Sequence, residues 1–281
     1  RDPPYFVRFL VLTLGVTLNS LVSCSDDKTI QIRQRDEIDK VEATLQSAKK
    51  ISKVVMNDEA IIFSSGGTIN VWDRVQQDYV SEFDIHDFEI TDLIVYQDLL
   101  FSASHDSSVK VSYWRTGEII AEFNHHHNTV NSIDIYGHMI ASVSGGPSGK
   151  GTLKVWNWKT GESLRELAGY SGFEHNVILQ GEVLFSGRNV WNWKTGKIIQ
   201  RFVNYTAHVI SRKVVGPIVV SISEKSLSIW NWKTEKILSA FKFDRHLSSL
   251  AVSDSYIFVG DVTGCIHGFY LIDTQRGGLL Q

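Results

Sequence analysis

The stretch Lys154-Val-Trp-Asn-Trp-Lys-Thr-Gly-Glu162 indicates the fold, because close copies of it recur along the chain. Two strong copies are Val190-Trp-Asn-Trp-Lys-Thr-Gly-Lys197 and Ile229-Trp-Asn-Trp-Lys-Thr-Glu-Lys236, and weaker ones are Lys110-Val-Ser-Tyr-Trp-Arg-Thr-Gly-Glu118 and Ile69-Asn-Val-Trp-Asp-Arg74. Aligned on the first tryptophan, the marker position falls at Arg33, Trp72, Ser112, Trp156, Trp191, Trp230 and Phe269. The markers are 35 to 44 residues apart, which is the period of a repeat unit built from four strands.

The residues between two markers have the polarity pattern of β-strands. Val130–Tyr136 alternates polar and apolar residues, Gly137-His138 predicts a turn, and Met139–Val143 predicts a buried strand. Thr152–Trp156 and Ser163–Leu167 complete four strands, and the Thr-Gly pair of the repeat supplies the turn before the fourth. We find no 12-residue window with helical periodicity.

Seven markers in 281 residues predict an all-β fold, a seven-bladed β-propeller of four-stranded antiparallel blades in one domain covering residues 1–281. Packing such sheets radially buries each against its neighbours and leaves only short outer edges. We expect a closed ring, in which either every blade is contiguous or the N-terminal segment completes the last blade. The predicted blades are residues 5–47, 48–86, 87–127, 128–170, 171–206, 207–246 and 247–281.

Composition excludes several classes of protein. With 43% hydrophobic and 21% charged residues, the chain fits a globular protein and not a disordered or collagen-like one. The balance of 28 basic and 31 acidic residues argues against a nucleic-acid binder, which normally has a basic face. Two cysteines, Cys24 and Cys265, cannot form a disulfide framework, so we expect a reducing compartment and an intracellular protein, cytoplasmic or nuclear.

The N-terminal region allows two interpretations. Phe9–Leu18 is an apolar run too short to span a bilayer, but it could serve as the apolar core of a signal peptide. The alternative is two strands with a turn near Gly15, which we favour because Ser23–Ile30 fits the repeat. Since the chain starts at Arg1 without a methionine, we expect one domain of a larger protein.

The markers resemble the WD-repeat (WD40) family over nearly the whole chain. The Trp-Asp pair of the family occurs once, at Trp72-Asp73, and asparagine replaces the aspartate in the three strongest repeats. The compact turns between first and second strands resemble the propellers of F-box/WD ubiquitin-ligase receptors. The resemblance implies structural roles for His86, Asp106, His126, Trp72, Trp156, Trp191 and Trp230.

In the family's best-formed repeats, a histidine, a strand serine, a turn aspartate and the marker tryptophan form a buried hydrogen-bond network. No blade of this chain has all four residues. The blade with His86, Ser102 and Asp106 has Ser112 in place of tryptophan, and the blade of Trp156 has a glycine-rich insertion in place of aspartate. We therefore expect apolar packing to hold the blades together more than polar contacts do.

The resemblance also suggests where a partner would bind. Ligands of WD propellers commonly contact the starts of the innermost strands and the turns between second and third strands. In this chain the repeat register assigns these positions to Ser52, Thr91, Asn131, His175 and Ser248, and to Asp26, His105, Arg188 and Glu224. Only Arg188 could offer the bidentate guanidinium that phosphopeptide readers use, which weakens that interpretation.

Other motifs favour structural roles. His125-His126-His127 lacks a second set of metal ligands, so we predict no metal site and no cofactor. Gly145–Gly151 lacks the order of a phosphate-binding loop and is interpreted as an exposed loop that could contact a partner. Trp114, Trp158, Trp193 and Trp232, two residues after the markers, could stack on bases or sugars, but we favour core packing. No catalytic arrangement has a suitable context, so we predict no enzyme activity.

We therefore expect a non-enzymatic scaffold that presents rigid loops to protein or peptide partners, with no membrane span. One alternative is a substrate receptor of a ubiquitin ligase. Another is a subunit of an RNA-binding or RNA-modification complex, which would need a basic surface despite the net charge of -3.

Overall fold

The computed structural model describes residues 11–17, 19–124, 126–145, 151–167, 176–202, 209–253, 255–272 and 278–280. All regular secondary structure in these ranges is β-strand. None of the described residues forms a helix that could cross a membrane.

The strands fall into seven groups of four in chain order. Blade 1 consists of β1 (Val11–Val16), β2 (Ser20–Ser25), β3 (Thr29–Gln34) and β4 (Glu37–Gln46), and blade 2 of β5 (Lys53–Met56), β6 (Ala60–Ser65), β7 (Thr68–Asp73) and β8 (Asp78–Asp84). Blade 3 consists of β9 (Ile90–Tyr96), β10 (Leu99–Ser104), β11 (Val109–Tyr113) and β12 (Ile119–Phe123), and blade 4 of β13 (Val130–Tyr136), β14 (Met139–Ser144), β15 (Thr152–Asn157) and β16 (Ser163–Leu167). Blade 5 consists of β17 (Val177–Gln180), β18 (Val183–Ser186), β19 (Asn189–Asn192) and β20 (Lys197–Arg201). Blade 6 consists of β21 (Val209–Val215), β22 (Ile218–Ser223), β23 (Ser226–Asn231) and β24 (Lys236–Lys242), and blade 7 of β25 (Leu247–Val252), β26 (Tyr256–Asp261), β27 (Ile266–Ile272) and β28 (Gly278–Leu280).

Each group forms its own antiparallel sheet, in which the spatial order of the strands follows the chain. The fold is therefore the all-β, seven-bladed β-propeller that the repeat predicts. Among the described residues, every blade is built from one contiguous segment of the chain. Blade 7 consists of β25 to β28 and includes no described strand from the N-terminal region.

The chain divides into two compact units, one of Arg1–Ile51 with His208–Gln281 and the other of Ser52–Ala207. In the second unit, apolar clusters join blade 2 to blade 3, blade 3 to blade 4 and blade 4 to blade 5. In the first unit, similar clusters join blade 6 to blade 7 and blade 7 to blade 1. The second strand of a blade is covered on both faces, and every side chain of β6 and β22 is buried.

In the first unit, blades 1 and 7 meet through a cluster of apolar side chains. Leu14 and Leu21 pack on Ala251 and Phe258. Beside this cluster, the guanidinium carbon of Arg35 lies 4.3 Å from the centre of the Tyr256 ring. The hydrogen bonds of Tyr256 with Asp36 and Tyr270 favour the neutral phenol and raise the pKa of Tyr256 to about 12.

The predicted position of the first turn, near Gly15, is wrong by a few residues. Gly15 lies inside β1, where it is paired with Val22, and the chain reverses between Val16 and Ser20. There the Thr17 N–H donates to the carbonyl oxygen of Ser20 at 2.9 Å. Gly15 does not mark the turn, because a glycine can also occupy an extended position in a strand.

The Thr-Gly turns have the backbone that the sequence predicts. Gly117, Gly161 and Gly196 have φ angles of 74°, 76° and 72°, in the left-handed region that glycine tolerates best. The copy in blade 6 places Glu235 at the same position with φ of 60°, so this turn keeps its shape despite a strained residue.

We predict that two matched glycine substitutions have unequal effects. A Cβ on Gly117 would lie 2.5 Å from Cγ of Phe83, whereas a Cβ on Gly161 would have no atom within 4 Å. Gly161→Ala should lower the free energy of unfolding by about 1 kcal/mol through backbone strain. Gly117→Ala should lower it by about 2–4 kcal/mol, because overpacking adds to the strain. Urea unfolding of both variants tests this, and equal losses would show that Phe83 moves aside at no cost.

Candidate functional site

In the blades whose connectors the structure describes, the turn between the second and third strands lies at the same end as the connector to the next blade. Backbone hydrogen bonds join the two, for example from the Ile90 N–H to the Gly66 carbonyl oxygen (2.9 Å) and from Phe202 to Arg188 (2.8 Å). We call this end of a blade the connector end, and the opposite end, with the other two turns, the hairpin end. Since both segments are fixed to each other, side chains at the connector end project from a rigid backbone.

The predicted partner-binding residues in the turns are exposed at the connector ends of their blades. His105 in blade 3, Arg188 in blade 5 and Glu224 in blade 6 all have exposed side chains. Asp26 in blade 1 is exposed too and forms an ion pair of 3.2 Å with Lys50. These residues can meet a partner without any rearrangement of the backbone.

The predicted residues on the innermost strands are half-buried, and most of their polar groups contact the protein itself. The Ser52 hydroxyl donates to Oε1 of Glu89 at 2.6 Å, and the Ser248 hydroxyl donates to the carbonyl oxygen of Gly260 at 3.0 Å. The Thr91 hydroxyl donates to the carbonyl oxygen of Val130 in the next blade. These three hydroxyls are therefore engaged within the fold.

The two remaining predicted residues on the innermost strands are Asn131 and His175. Asn131 is half-buried, and its Nδ2 has no hydrogen-bond partner among the described residues. His175 lies outside the described residues, as do positions 146–150 of the loop considered for partner contact and His125 of the histidine run.

An aromatic side chain that the repeat does not predict lies at the connector end of blade 2. Phe88 is 63% exposed between the exposed residues Asp87 and Glu89. Its backbone is fixed, because the Ser104 hydroxyl donates to the Phe88 carbonyl oxygen at 3.2 Å. In the sequence, this site is visible as a phenylalanine between two acidic residues directly after His86. The repeat register predicts contact positions in turns and inner strands, and Phe88 lies in a connector.

Polar contacts between inner strands were also missed. The Ile133 N–H of blade 4 donates to Oδ2 of Asp92 in blade 3 at 3.0 Å, and the Leu179 N–H of blade 5 donates to Oδ2 of Asp134 in blade 4 at 2.7 Å. Charge-assisted bonds of this kind are stronger than neutral ones. In the second unit, polar contacts therefore join successive blades beside the apolar clusters.

In blade 3, a serine, a histidine and an aspartate are connected by hydrogen bonds. Nδ1 of His86 lies 2.7 Å from Oδ2 of Asp106, and Nε2 lies 2.8 Å from the Ser102 hydroxyl. The order resembles a hydrolase triad, but Ser102 and the His86 side chain have no exposed surface, so a substrate could not reach the hydroxyl. The Ser112 hydroxyl, at the marker position, is buried without a hydrogen-bond partner among the described residues.

In blade 4, a threonine completes the equivalent network. The Trp156 indole N–H donates to the Ser142 hydroxyl oxygen at 2.7 Å, and Nε2 of His126 lies 2.7 Å from the same oxygen. Nδ1 of His126 lies 2.7 Å from Oγ1 of Thr152. Thr152 therefore takes the role of the missing aspartate. The repeat does not predict this role, because Thr152 follows the glycine-rich insertion.

The other marker tryptophans contribute mainly apolar surface. Trp191 and Trp230 are 2% and 5% exposed, and the Trp191 indole N–H has no hydrogen-bond partner among the described residues. Trp72 is half-buried, with its ring centre 4.9 Å from that of Tyr79 in an edge-to-face arrangement.

The second tryptophans of the repeat fasten the hairpin ends. Each indole N–H donates to a carbonyl oxygen in the turn between the first and second strands of its own blade. The pairs are Trp114 with Gln97 (3.0 Å), Trp158 with Gly137 (3.1 Å), Trp193 with Gly181 (2.8 Å) and Trp232 with Gly216 (3.2 Å).

Their rings are partly or fully covered. Trp114 and Trp193 are buried, as core packing predicts, and Trp158 and Trp232 are half-buried. The cation that follows the tryptophan lies over the ring in three blades, for example the guanidinium carbon of Arg115 at 4.1 Å from the Trp114 centre. This arrangement argues against an open surface for stacking bases.

Within the described residues, no group of three His, Cys, Asp or Glu side chains could hold a metal ion. Cys24 is buried and Cys265 is half-buried, and no disulfide joins them.

Comparisons with known proteins agree with this architecture. The family model described as WD domain, G-beta repeat matches residues 117–157, which run from the Thr-Gly turn of blade 3 to the end of β15. Among solved structures, the computationally designed Ika8 protein is similar with a TM-score of 0.72 and 19% sequence identity. The match covers 94% of this chain and 96% of the designed chain, so it supports the fold.

We predict that protonation of His86 destabilises the protein. Burial of the imidazole outweighs the attraction of Asp106 and lowers the pKa of His86. The unfolded state therefore binds a proton at higher pH than the folded state, and the free energy of unfolding should fall as the pH drops below about 6.5. Urea unfolding between about pH 8 and pH 5 should show this loss.

A pair of variants isolates the contribution of His86. His86→Gln should be less stable than the wild type at about pH 8, because a buried network is broken, by about 1–3 kcal/mol. Its stability should also depend less on pH. His105→Gln, at an exposed histidine, should keep the wild-type pH dependence. A His86→Gln variant with the full wild-type pH dependence would assign the effect to other groups.

Proposed function

Because the chain is a WD-repeat β-propeller, we propose that it works as a non-enzymatic scaffold that binds protein or peptide partners at the connector ends of its blades. Propellers of this family are generally protein-interaction scaffolds. The observation that carries the proposal is the exposure of His105, Arg188 and Glu224 on turns that are hydrogen-bonded to the adjoining connectors.

Rigid turns favour binding because little conformational entropy is lost when a partner arrives. In blade 6, the Leu247 N–H donates to the Glu224 carbonyl oxygen at 2.7 Å, and in blade 3 the His105 N–H donates to the Glu89 carbonyl oxygen at 3.0 Å. The backbone at both positions is thus held by the fold before any partner binds, while the side chains remain exposed.

Phe88 is the side chain best suited to anchor a partner at the connector end of blade 2. Aromatic anchors with polar surroundings contribute a large share of the affinity of many interfaces. Asp87 and Glu89 flank it, so the preferred partner segment would bring an apolar side chain together with a basic one. The Ser52–Glu89 hydrogen bond at 2.6 Å orients one of these carboxylates.

The burial of the Ser102–His86–Asp106 arrangement supports a structural and not a catalytic role for these residues. We also propose an intracellular location, because the two cysteines form no disulfide and a reducing compartment would keep them as thiols.

We predict that single substitutions at the connector ends weaken partner binding. Proteins captured by the purified chain from a cell extract would be identified, and the affinity of a purified partner would then be measured by calorimetry. Phe88→Ala should weaken that affinity by about tenfold or more, as loss of an aromatic anchor usually does. Arg188→Glu should slow association, because it reverses an exposed charge.

The matched control for charge reversal is Lys159→Glu at the hairpin end of blade 4, where the side chain is also exposed. It should leave the affinity unchanged. If Lys159→Glu abolishes binding while Phe88→Ala and Arg188→Glu do not, the hairpin ends are the docking surface and the proposal is wrong.

A further inference from the structure

Blade 2 is more acidic than the chain as a whole. Residues 53–84, which form this blade, contain six acidic residues and only two basic residues, whereas the whole chain of 281 residues has a net charge of -3. Three of the six acidic residues, Asp78, Glu82 and Asp84, belong to the outer strand β8, which contains no lysine or arginine. The side chains of all three are exposed, and Val80 between them is 44% exposed. We call Asp78, Val80, Glu82 and Asp84 the β8 surface.

The carboxylates of the β8 surface have no cationic partner in the described part of the chain, where none of the three forms an ion pair. The Thr68 hydroxyl donates to Oδ1 of Asp84 at 2.7 Å, and the Tyr79 N–H donates to Oδ1 of Asp78 at 2.8 Å. These bonds orient two of the carboxylates but do not neutralise their charge.

Blades 3 and 4 show how a carboxylate of the outer strand is neutralised. A lysine of the third strand lies directly opposite a glutamate of the fourth, Lys110 opposite Glu122 and Lys154 opposite Glu166. The lysine nitrogens lie 3.6 Å and 3.4 Å from the glutamate oxygens. The two lysine side chains are only 15% and 13% exposed, so water screens these pairs less than it screens fully exposed pairs.

Blade 2 lacks this lysine. Its equivalent cross-strand pair is Asn70 opposite Glu82. The Asn70 amide donates to the Ser65 hydroxyl oxygen at 3.1 Å, and it carries no charge that could neutralise Glu82. Glu82 therefore occupies the position at which two other blades bind an ammonium group, but blade 2 does not supply that group.

We propose that the β8 surface binds a basic segment of another protein, in which a lysine neutralises Glu82 as Lys110 and Lys154 neutralise the equivalent glutamates. A second lysine of the segment binds Asp84, and the aliphatic part of the lysine side chains contacts Val80. The β8 surface lies on an outer strand and not at the connector ends, so the inference does not depend on the proposed function.

The spacing of the carboxylates favours an extended basic segment over a free metal ion. Glu82 and Asp84 are two residues apart on one face of the strand, which separates them by about 7 Å. A single small cation contacts its oxygen ligands at about 2–2.6 Å, so it could not bind both carboxylates. Alternate residues of an extended segment have the same spacing of about 7 Å, so two lysines separated by one residue fit the two carboxylates.

The proposal can be tested with a synthetic probe on the whole chain. The probe is a fluorescent eight-residue peptide that alternates lysine and serine, and fluorescence anisotropy at low ionic strength measures its affinity. Glu82→Gln/Asp84→Asn, which keeps the shape of both side chains, should weaken binding by about tenfold or more. Glu162→Gln/Glu235→Gln, which removes two exposed carboxylates from turns of blades 4 and 6, should leave the affinity within about twofold.

A further variant supplies the missing lysine from the chain itself. Asn70→Lys keeps every carboxylate of the β8 surface, but its ammonium group should bind Glu82 and weaken peptide binding by about fivefold. Gln76→Lys adds the same charge in an exposed turn of the same blade and should leave the affinity within about twofold. An Asn70→Lys variant that binds the peptide as the wild type does would overturn the proposed contact with Glu82.

Two other outcomes would also overturn the proposal. If Glu162→Gln/Glu235→Gln weakens binding as much as Glu82→Gln/Asp84→Asn does, the peptide responds to net charge and not to the β8 surface. If the free protein self-associates in sedimentation, and the Glu82→Gln/Asp84→Asn variant is monomeric and the peptide does not compete, a second copy of this chain occupies the surface. Urea unfolding curves check that each variant is folded, and the comparison of Asn70→Lys with Gln76→Lys decides the matter if a double variant is not.

Discussion

The second strand of each blade must be covered on both faces, and the rest of the structure follows from that constraint. β6 and β22 bury all six of their side chains, and a single four-stranded sheet cannot do this alone. Each fully buried Ile, Leu or Phe contributes about 1.5–3 kcal/mol. Successive blades within a unit therefore share apolar clusters, and polar side chains such as those of His105, Arg188 and Glu224 are exposed at the connector ends of their blades.

The two tryptophans of the repeat have different structural roles. The marker tryptophan fills the space between sheets, as Trp156 does at 1% exposure, and the second tryptophan fastens a hairpin turn through its indole N–H. One short motif therefore serves the interior of a blade and its hairpin end together. That dual use explains why the three strongest copies keep both tryptophans while the turn residue changes from glycine to Glu235.

The sequence predicts strands well where residues with a clear conformational preference end them. Thr152–Trp156 was predicted and Thr152–Asn157 is observed, because the turn that follows prevents the strand from continuing. The turn near Gly15 was misplaced, since a glycine marks a position where a turn is possible and not where it occurs. The register located the exposed side chains of His105 and Arg188, but it could not show that the Ser52 and Ser248 hydroxyls bond within the protein. Such contacts depend on distances between separate strands and connectors, and the periodicity of a sequence gives no information on these distances.

Because every blade is a contiguous segment of chain, the boundaries between blades are also natural boundaries for genetic rearrangement. Duplication or loss of one segment adds or removes a complete sheet without leaving a strand unpaired. The first and last blades already meet through side chains such as Leu21 and Phe258, with no shared strand. A chain that began at a different connector would therefore build the same set of four-stranded sheets.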